Sequence, residues 1–211
     1  MRKALPRKLK PARLGERGNQ GMGMSDPSEV LEFWLETVGP KGWYLADDAV
    51  DAEVADRFGD LWQAAAGGGL DHWVSGATGC LAFLIVTDQF PRNLFRGDPR
   101  AFSTDARARE AARQALFMGW DQDVPPPERQ FFYMPFEHSE DLADQDLAVE
   151  CFQTRMDNAE TALHARAHRA IIQRFGRFPF RNVVLGRESS PEEMEFLANG
   201  GYGAIVRELQ G

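Results

Sequence analysis

The chain is poor in the residues that most readily disclose a function. Only two cysteines occur in 211 residues, Cys80 and Cys151, each among apolar neighbours. That pattern describes inert core thiols in a reducing compartment, hence a cytoplasmic protein, rather than a disulfide scaffold. Long apolar runs are missing as well. The best candidate, "CLAFLIV" from Cys80 to Val86, is far shorter than the roughly 20 residues a membrane span needs, so it is expected to be a buried helix segment and no membrane partner is expected. Phosphate loops, dinucleotide fingerprints and nucleophile elbows are absent too. "GATG" and "GERGNQGMG" have no strand before them and no Lys-Ser/Thr after them, so their glycines are loop punctuation.

Net positive charge is confined to one segment. Residues 1–24 hold seven Lys/Arg and one Glu, a net +6, so the remainder carries −14 of the overall −8. This stretch is expected to be a disordered basic tail, since it has few apolar residues and no apolar signal region. Met22 and Met24 stand just before a clean helix start, so translation beginning at either would leave the tail upstream; the alternative is a basic arm for anionic partners. The acidic body argues against a nucleic-acid partner. With 43% apolar and 11% aromatic residues, positions 25–211 are expected to bury one core as one domain.

What is present is helical punctuation. "SDPSEVLEFWLETVG" predicts a helix opened by Asp26, Pro27 and Glu29, with Val30, Trp34 and Val38 on one face. Val50, Val54, Phe58, Leu61, Trp62 and Ala65 mark a second amphipathic helix stopped by three glycines. Ala77 to Gln89 is apolar nearly all round and reads as a central helix. Further helices are predicted from Ser103 or Thr104 to Gly119, through Phe131 to Met134, from a Ser139 cap toward Met156, from Ala159 to Phe175, and after Ser190, while His72 falls at a helix end. No stretch alternates as a half-buried strand would. The expectation is an all-α protein of about eight helices, whose short connections favour antiparallel pairs stacked in a layer or shallow superhelix.

Two of these helices end in similar words, "DQFPRNLFRG" from Asp88 and "RFGRFPFRNVVLGR" from Arg174. Proline inside a helix costs about 3 kcal/mol, so Pro91 and Pro179 are expected to stop their helices and push Phe90 and Phe178 toward extended geometry. Arg92 and Arg181 would then face unpaired helix carbonyls, and Asn93 and Asn182 would close the turns. Opposite charge comes from "PFEHSEDLADQD", which holds Glu137, His138, Glu140, Asp141 and Asp144. One reading is plain capping by Ser139 with solvated acids behind it. The other gathers Asp88, Arg92, Asn93, Glu137, His138, Asp141, His168, Arg177, Arg181 and Asn182 around one polar cleft, a setting that tunes a histidine.

In this order, "LIVTDQFPRNLFRG", "AFSTDARA", "FFYMPFEHSEDLADQ" and "HRAIIQRFGRFPFRNVVLGRESSPEEMEFL" resemble the bacterial domain-of-unknown-function family 924, over roughly Pro27 to Leu197. The resemblance implies a tetratricopeptide-like, right-handed array of helix pairs, and it implies no reaction. The family phrase usually reads Phe-Pro-His-Arg-Asn. Phe180 stands where that histidine would, so any role of an imidazole there is lost to this chain.

His164 and His168 have the spacing of paired metal ligands, with Glu160 one turn earlier. "HARAH" nevertheless lacks the Glu that follows the first His in zinc hydrolases, and His168 shares a stripe with Ile171, Ile172 and Phe175, so neither a metal nor a cofactor is expected. Two functions fit the pattern. In the first, a helical scaffold holds a peptide or small anionic molecule through Arg92, Arg177 and Arg181. In the second, a hydrolase-like enzyme uses His138 as general base, with Asp88 or Glu137 orienting it and Arg181 stabilising negative charge. A plainer outcome is a buried network that only fixes helix packing. Apolar side chains from Met194 to Leu197 could support a homodimer.

Overall fold

Side-chain caps open most of the longer helices. In the computed structural model, which describes residues 26–211, Asp26 accepts from Ser28 N at 2.9 Å and starts α1 (Pro27–Leu31). α1 runs on through a wide π-helical turn, Glu32–Val38, into α2 (Gly39–Gly42). Asp47 caps α3 (Asp48–Ala66), and α4 (Ala77–Leu84) continues through a second π-helical turn, Ile85–Gln89, into α5 (Phe90–Leu94). α6 (Asp105–Met118) ends at Gly119, whose φ of +75° is left-handed. Then come α7 (Met134–Glu137), α8 (Leu142–Arg155), α9 (Ala159–Phe175), α10 (Pro191–Ala198) and α11 (Gly201–Gln210). The described residues contain helices and no strand, so the protein is all-α. The basic tail and both candidate start methionines lie outside the described residues.

Every residue from Cys80 to Pro91 is buried, which makes this segment the axis of the main core. α1 and α6 pack on α4, and α3 packs on α5. Phe33, Phe58 and Phe90 form one aromatic cluster, with Phe58 stacked on Phe90 at 4.9 Å between ring centroids. α8 and α9, joined by three residues, pack as an antiparallel pair, and α11 lies across α9. A smaller core of Ile171, Ile172, Phe178 and Phe196 forms at that end, with Tyr202 and Ile205 against it.

Pro91 does not stop its helix. Phe90 stays helical at φ −56° and ψ −38°, because the wider turn before it no longer depends on the amide that proline lacks. The freed carbonyls have other partners: Thr104 Oγ1 donates to the Thr87 carbonyl at 2.6 Å, and the Arg92 guanidinium donates to that of Asp88. At the second corner Phe178 is extended as expected, with φ −89° and ψ 105°, but the stop is Gly176 at φ +68° rather than Pro179. The two similar phrases therefore build different structures. Ser139 also yields its expected capping role, since Asp141 accepts from Ala143 N at 2.8 Å and caps α8. A further helix, α11, follows the one opened by Ser190.

Thr104→Val keeps the side-chain shape but removes the donor to the Thr87 carbonyl and the acceptor for Trp62 Nε1. It should lower unfolding free energy by about 1–3 kcal/mol, seen as a reduced urea midpoint at unchanged slope. A midpoint equal to the parent's would show that the π-helical turn does not lean on this hydroxyl.

Candidate functional site

The π-helical turn Ile85–Gln89 carries three polar side chains into the interior, a common use of such turns. Thr87, Asp88 and Gln89 are 0%, 1% and 6% exposed. Asp88 meets His138, the residue that closes α7: Nδ1 lies 2.9 and 3.0 Å from the two carboxylate oxygens. The end of α7 is itself fixed from α8, where the buried Gln145 amide donates to the Glu137 and Ser139 carbonyls at 2.7 and 2.6 Å. Behind Asp88, Arg92 stands 3.4 Å from its Oδ1 and 3.2 Å from Asp105 Oδ1. Burial raises the Asp88 carboxyl, but Arg92 and then His138 outweigh it and hold the group at about 2. Burial and Arg92 push His138 below its ordinary value of 6.5, against the pull of Asp88. At neutral pH the pair is therefore a carboxylate and a neutral imidazole, with the proton on Nδ1 and the lone pair on Nε2.

A second pair stands beside the first. Glu137 is 6% exposed, and its Oε1 lies 2.8 Å from Nδ1 of His168 on α9. Burial would raise Glu137, but the charge and hydrogen bond of His168 outweigh it and the carboxyl is lowered. The His138 and His168 ring centroids are 6.5 Å apart, and both rings line one cavity of about 640 Å³. Neither Nε2 has a hydrogen-bond partner among the described residues, so each is free to serve a guest.

The remaining walls are largely apolar and aromatic. Trp43, Gln130, Met134, Phe152 and Met156 form the buried floor, while Tyr44, Asn158 and Glu160 stand at the exposed mouth and Tyr202 closes one side. Tyr44 turns its hydroxyl inward to Gln130 Oε1, and Tyr202 bonds His164 Nδ1. Burial raises both phenols, and Glu137 raises them further, so both remain protonated donors.

The expected site residues divide into groups. Asp88, Arg92, His138 and Arg181 belong to one network joined through Asp105, with the Glu137–His168 pair beside it, and Glu137, His138 and His168 reach the cavity wall. Arg181 sits behind, 4.5 Å from the Phe178 ring centroid and 4.6 Å from that of Phe102, its pKa lowered to about 10 by burial and Arg92. Arg177 grips Glu193 at 2.6 and 2.8 Å, Asn93 donates to Asp51, Asn182 donates to Ser189, and Asp141 is a helix cap. Among the described residues no arginine lines the cavity. Phe180 is 43% exposed and stacks on Phe178. Among the described residues no group of three or more His, Cys, Asp or Glu is placed to hold a metal. Sequence reasoning missed Trp43, Tyr44, Phe152 and Tyr202. Only Tyr202 left a signal, since Tyr202, Ile205 and Leu209 recur at helical spacing, but the glycines at 201 and 203 masked it.

Comparison with known proteins places the chain among bacterial relatives. Residues 30–201 match the family described as "Bacterial protein of unknown function (DUF924)". A solved structure of a protein of unknown function from Agrobacterium tumefaciens is 43% identical, with 82% of this chain and 97% of that one covered and a TM-score of 0.79. No curated protein matches. Among the described residues no helix is long and apolar enough to cross a membrane.

The charges around His138 predict opposite responses to two substitutions. Asp88→Asn removes a group that raises the imidazole pKa, and Arg92→Met removes one that lowers it. NMR titration should therefore find His138 below 6.5 in the parent, lower still in D88N and higher in R92M. Shifts of the same sign in both variants would refute this electrostatic account.

Proposed function

The chain belongs to that family, and from its site geometry we propose that the cavity is the active site of a hydrolase-like enzyme with His138 as general base. The observation that carries this reading is the buried Asp88–His138 pair, whose imidazole lines a mostly apolar cavity with no hydrogen-bond partner on Nε2 among the described residues. In such a site His138 Nε2 takes a proton from a water as the water attacks an acyl carbon. Asp88 fixes the tautomer and stabilises the imidazolium that forms. The His138 imidazolium then gives that proton to the leaving group, while His168, held through Nδ1 by Glu137, presents its Nε2 as a hydrogen-bond acceptor for the guest. The Tyr202 hydroxyl, when it accepts from His164 Nδ1, supplies a donor for the developing oxyanion. Arg181, the earlier candidate for that task, is held between two phenyl rings instead.

A non-catalytic scaffold would use the same cavity without the proton transfer, and the apolar walls also support that role. Its carboxylate-binding form is less well supported, because the arginines meant to grip the anion are engaged with Asp88, Asp105 and Glu193.

Turnover of a panel of 4-nitrophenyl esters and 4-nitroanilides, acetyl to aminoacyl, separates the two. His138→Ala should lower kcat/KM on the order of 10²- to 10⁴-fold. Because the base works only when neutral, parent activity should rise through an acid limb below pH 6.5 and then stay level. Equal rates for parent and H138A across the panel would leave only the binding role.

A further inference from the structure

We propose that the cavity selects amphipathic molecules bearing a positive charge, with the ammonium at the mouth and the apolar body on the floor. The inference deepens the preceding reading by assigning the charge of the guest, and it stands on binding alone. Among the described residues the walls contain the carboxylates of Glu137 and Glu160 and three histidines, with no lysine or arginine. Neighbouring arginines are turned to other partners: Arg92 to Asp88 and Asp105, Arg155 to Asp121, and Arg129 to the Val124 and Arg155 carbonyls.

The two carboxylates differ in what they can offer. Glu137 is buried and already bonded to His168. Glu160 is exposed at the mouth, and among the described residues its side chain has neither a hydrogen bond nor an ion pair. Both act on the same place, since Glu137 and Glu160 each raise the Tyr44 phenol. A cation beside Tyr44 thus meets one free carboxylate, the field of a second, and the electron-rich faces of Tyr44 and Tyr202. An anion there meets the repulsion of both carboxylates. Further in, Trp43, Met134, Phe152 and Met156 offer apolar surface that rewards an aliphatic or aromatic body. Charge at one end and apolar surface at the other orient the guest along the cavity, with its middle beside His138 and His168.

Calorimetric titration of the full chain with 2-phenylethylamine, 2-phenylethanol and 3-phenylpropionate tests this. The amine should bind about tenfold more tightly than the alcohol, and the carboxylate more weakly than either. Glu160→Gln should reduce the amine's advantage about fivefold while the alcohol's affinity stays unchanged, and added salt should act in the same direction. The amine preference should persist in H138A, whose loss of turnover is a separate matter, so failure of the catalytic reading leaves this result intact. Carboxylate binding as strong as amine binding would overturn the proposal. So would an undiminished amine advantage in E160Q, or no saturable binding of any of the three probes at millimolar concentration.

Discussion

A carboxylate that is 1% exposed has to be matched by charge and hydrogen bonds, and in this protein Asp88 is that carboxylate. Removing such an ion from water costs several kcal/mol, even after the surroundings relax. Arg92, His138 and Gln89 all converge on it, from α5, from the end of α7 and from the neighbouring position. The compensation propagates, because Arg92 also reaches Asp105 at the start of α6, and Arg181 approaches Asp105 from beyond α9. One buried negative charge thus fixes the mutual placement of segments far apart in sequence. The imidazole it orients is the one that opens onto the cavity.

That charge sits where it does because of the backbone before Pro91. A regular α-helix through residues 85–91 would lose an amide hydrogen bond at the proline and crowd the carbonyl four residues back. The π-helical turn removes the conflict by widening, and the Thr104 hydroxyl and the Arg92 side chain occupy the carbonyls left over. Within the wholly buried segment from Cys80 to Pro91, the widened turn is the part that holds the polar side chains Thr87, Asp88 and Gln89. Proline, which sequence rules treat as a helix stop, here accompanies the irregularity that makes the site.

The difference between what was legible and what was not follows from range. Caps, glycine stops and apolar periodicity act within a few residues, so the extents of α3, α6 and α9 and the all-α class could be read directly from the sequence. Asp88, Glu137, His138 and His168 were readable as candidates because charged residues flanked by long apolar stretches invite a functional reading. Their pairing was not readable: nothing local says that His168 faces Glu137 while the adjacent His138 faces Asp88. The arginines were over-read for the same reason. Arg177 has its partner, Glu193, sixteen residues on, and only the folded chain shows that this pair lies outside the cavity. Phe180 marks the opposite case. This side chain, at the position where the resemblance implies a histidine, stacks on Phe178 at 43% exposure, outside the cavity wall, so the network around His138 closes without it.

The cavity lies at the seam between two cores, which bears on how it could open. Its floor, Trp43, Met134, Phe152 and Met156, belongs to the large cluster built on α4. Tyr202, the wall on the other side, packs with the small cluster of Ile171, Ile172, Phe178 and Phe196. α9 spans both, carrying Ala162 and Ala165 into the large core and Ile171 and Ile172 into the small one. Small clusters with few buried apolar contacts open at lower free-energy cost than large ones. Displacement of α11 would therefore widen the cavity beside His164 and Tyr202 while leaving the Asp88–His138 pair, anchored on α4, α5 and α7, in place. In the proposed enzyme, a guest would then enter past the Tyr202 side without disturbing the Asp88–His138 pair.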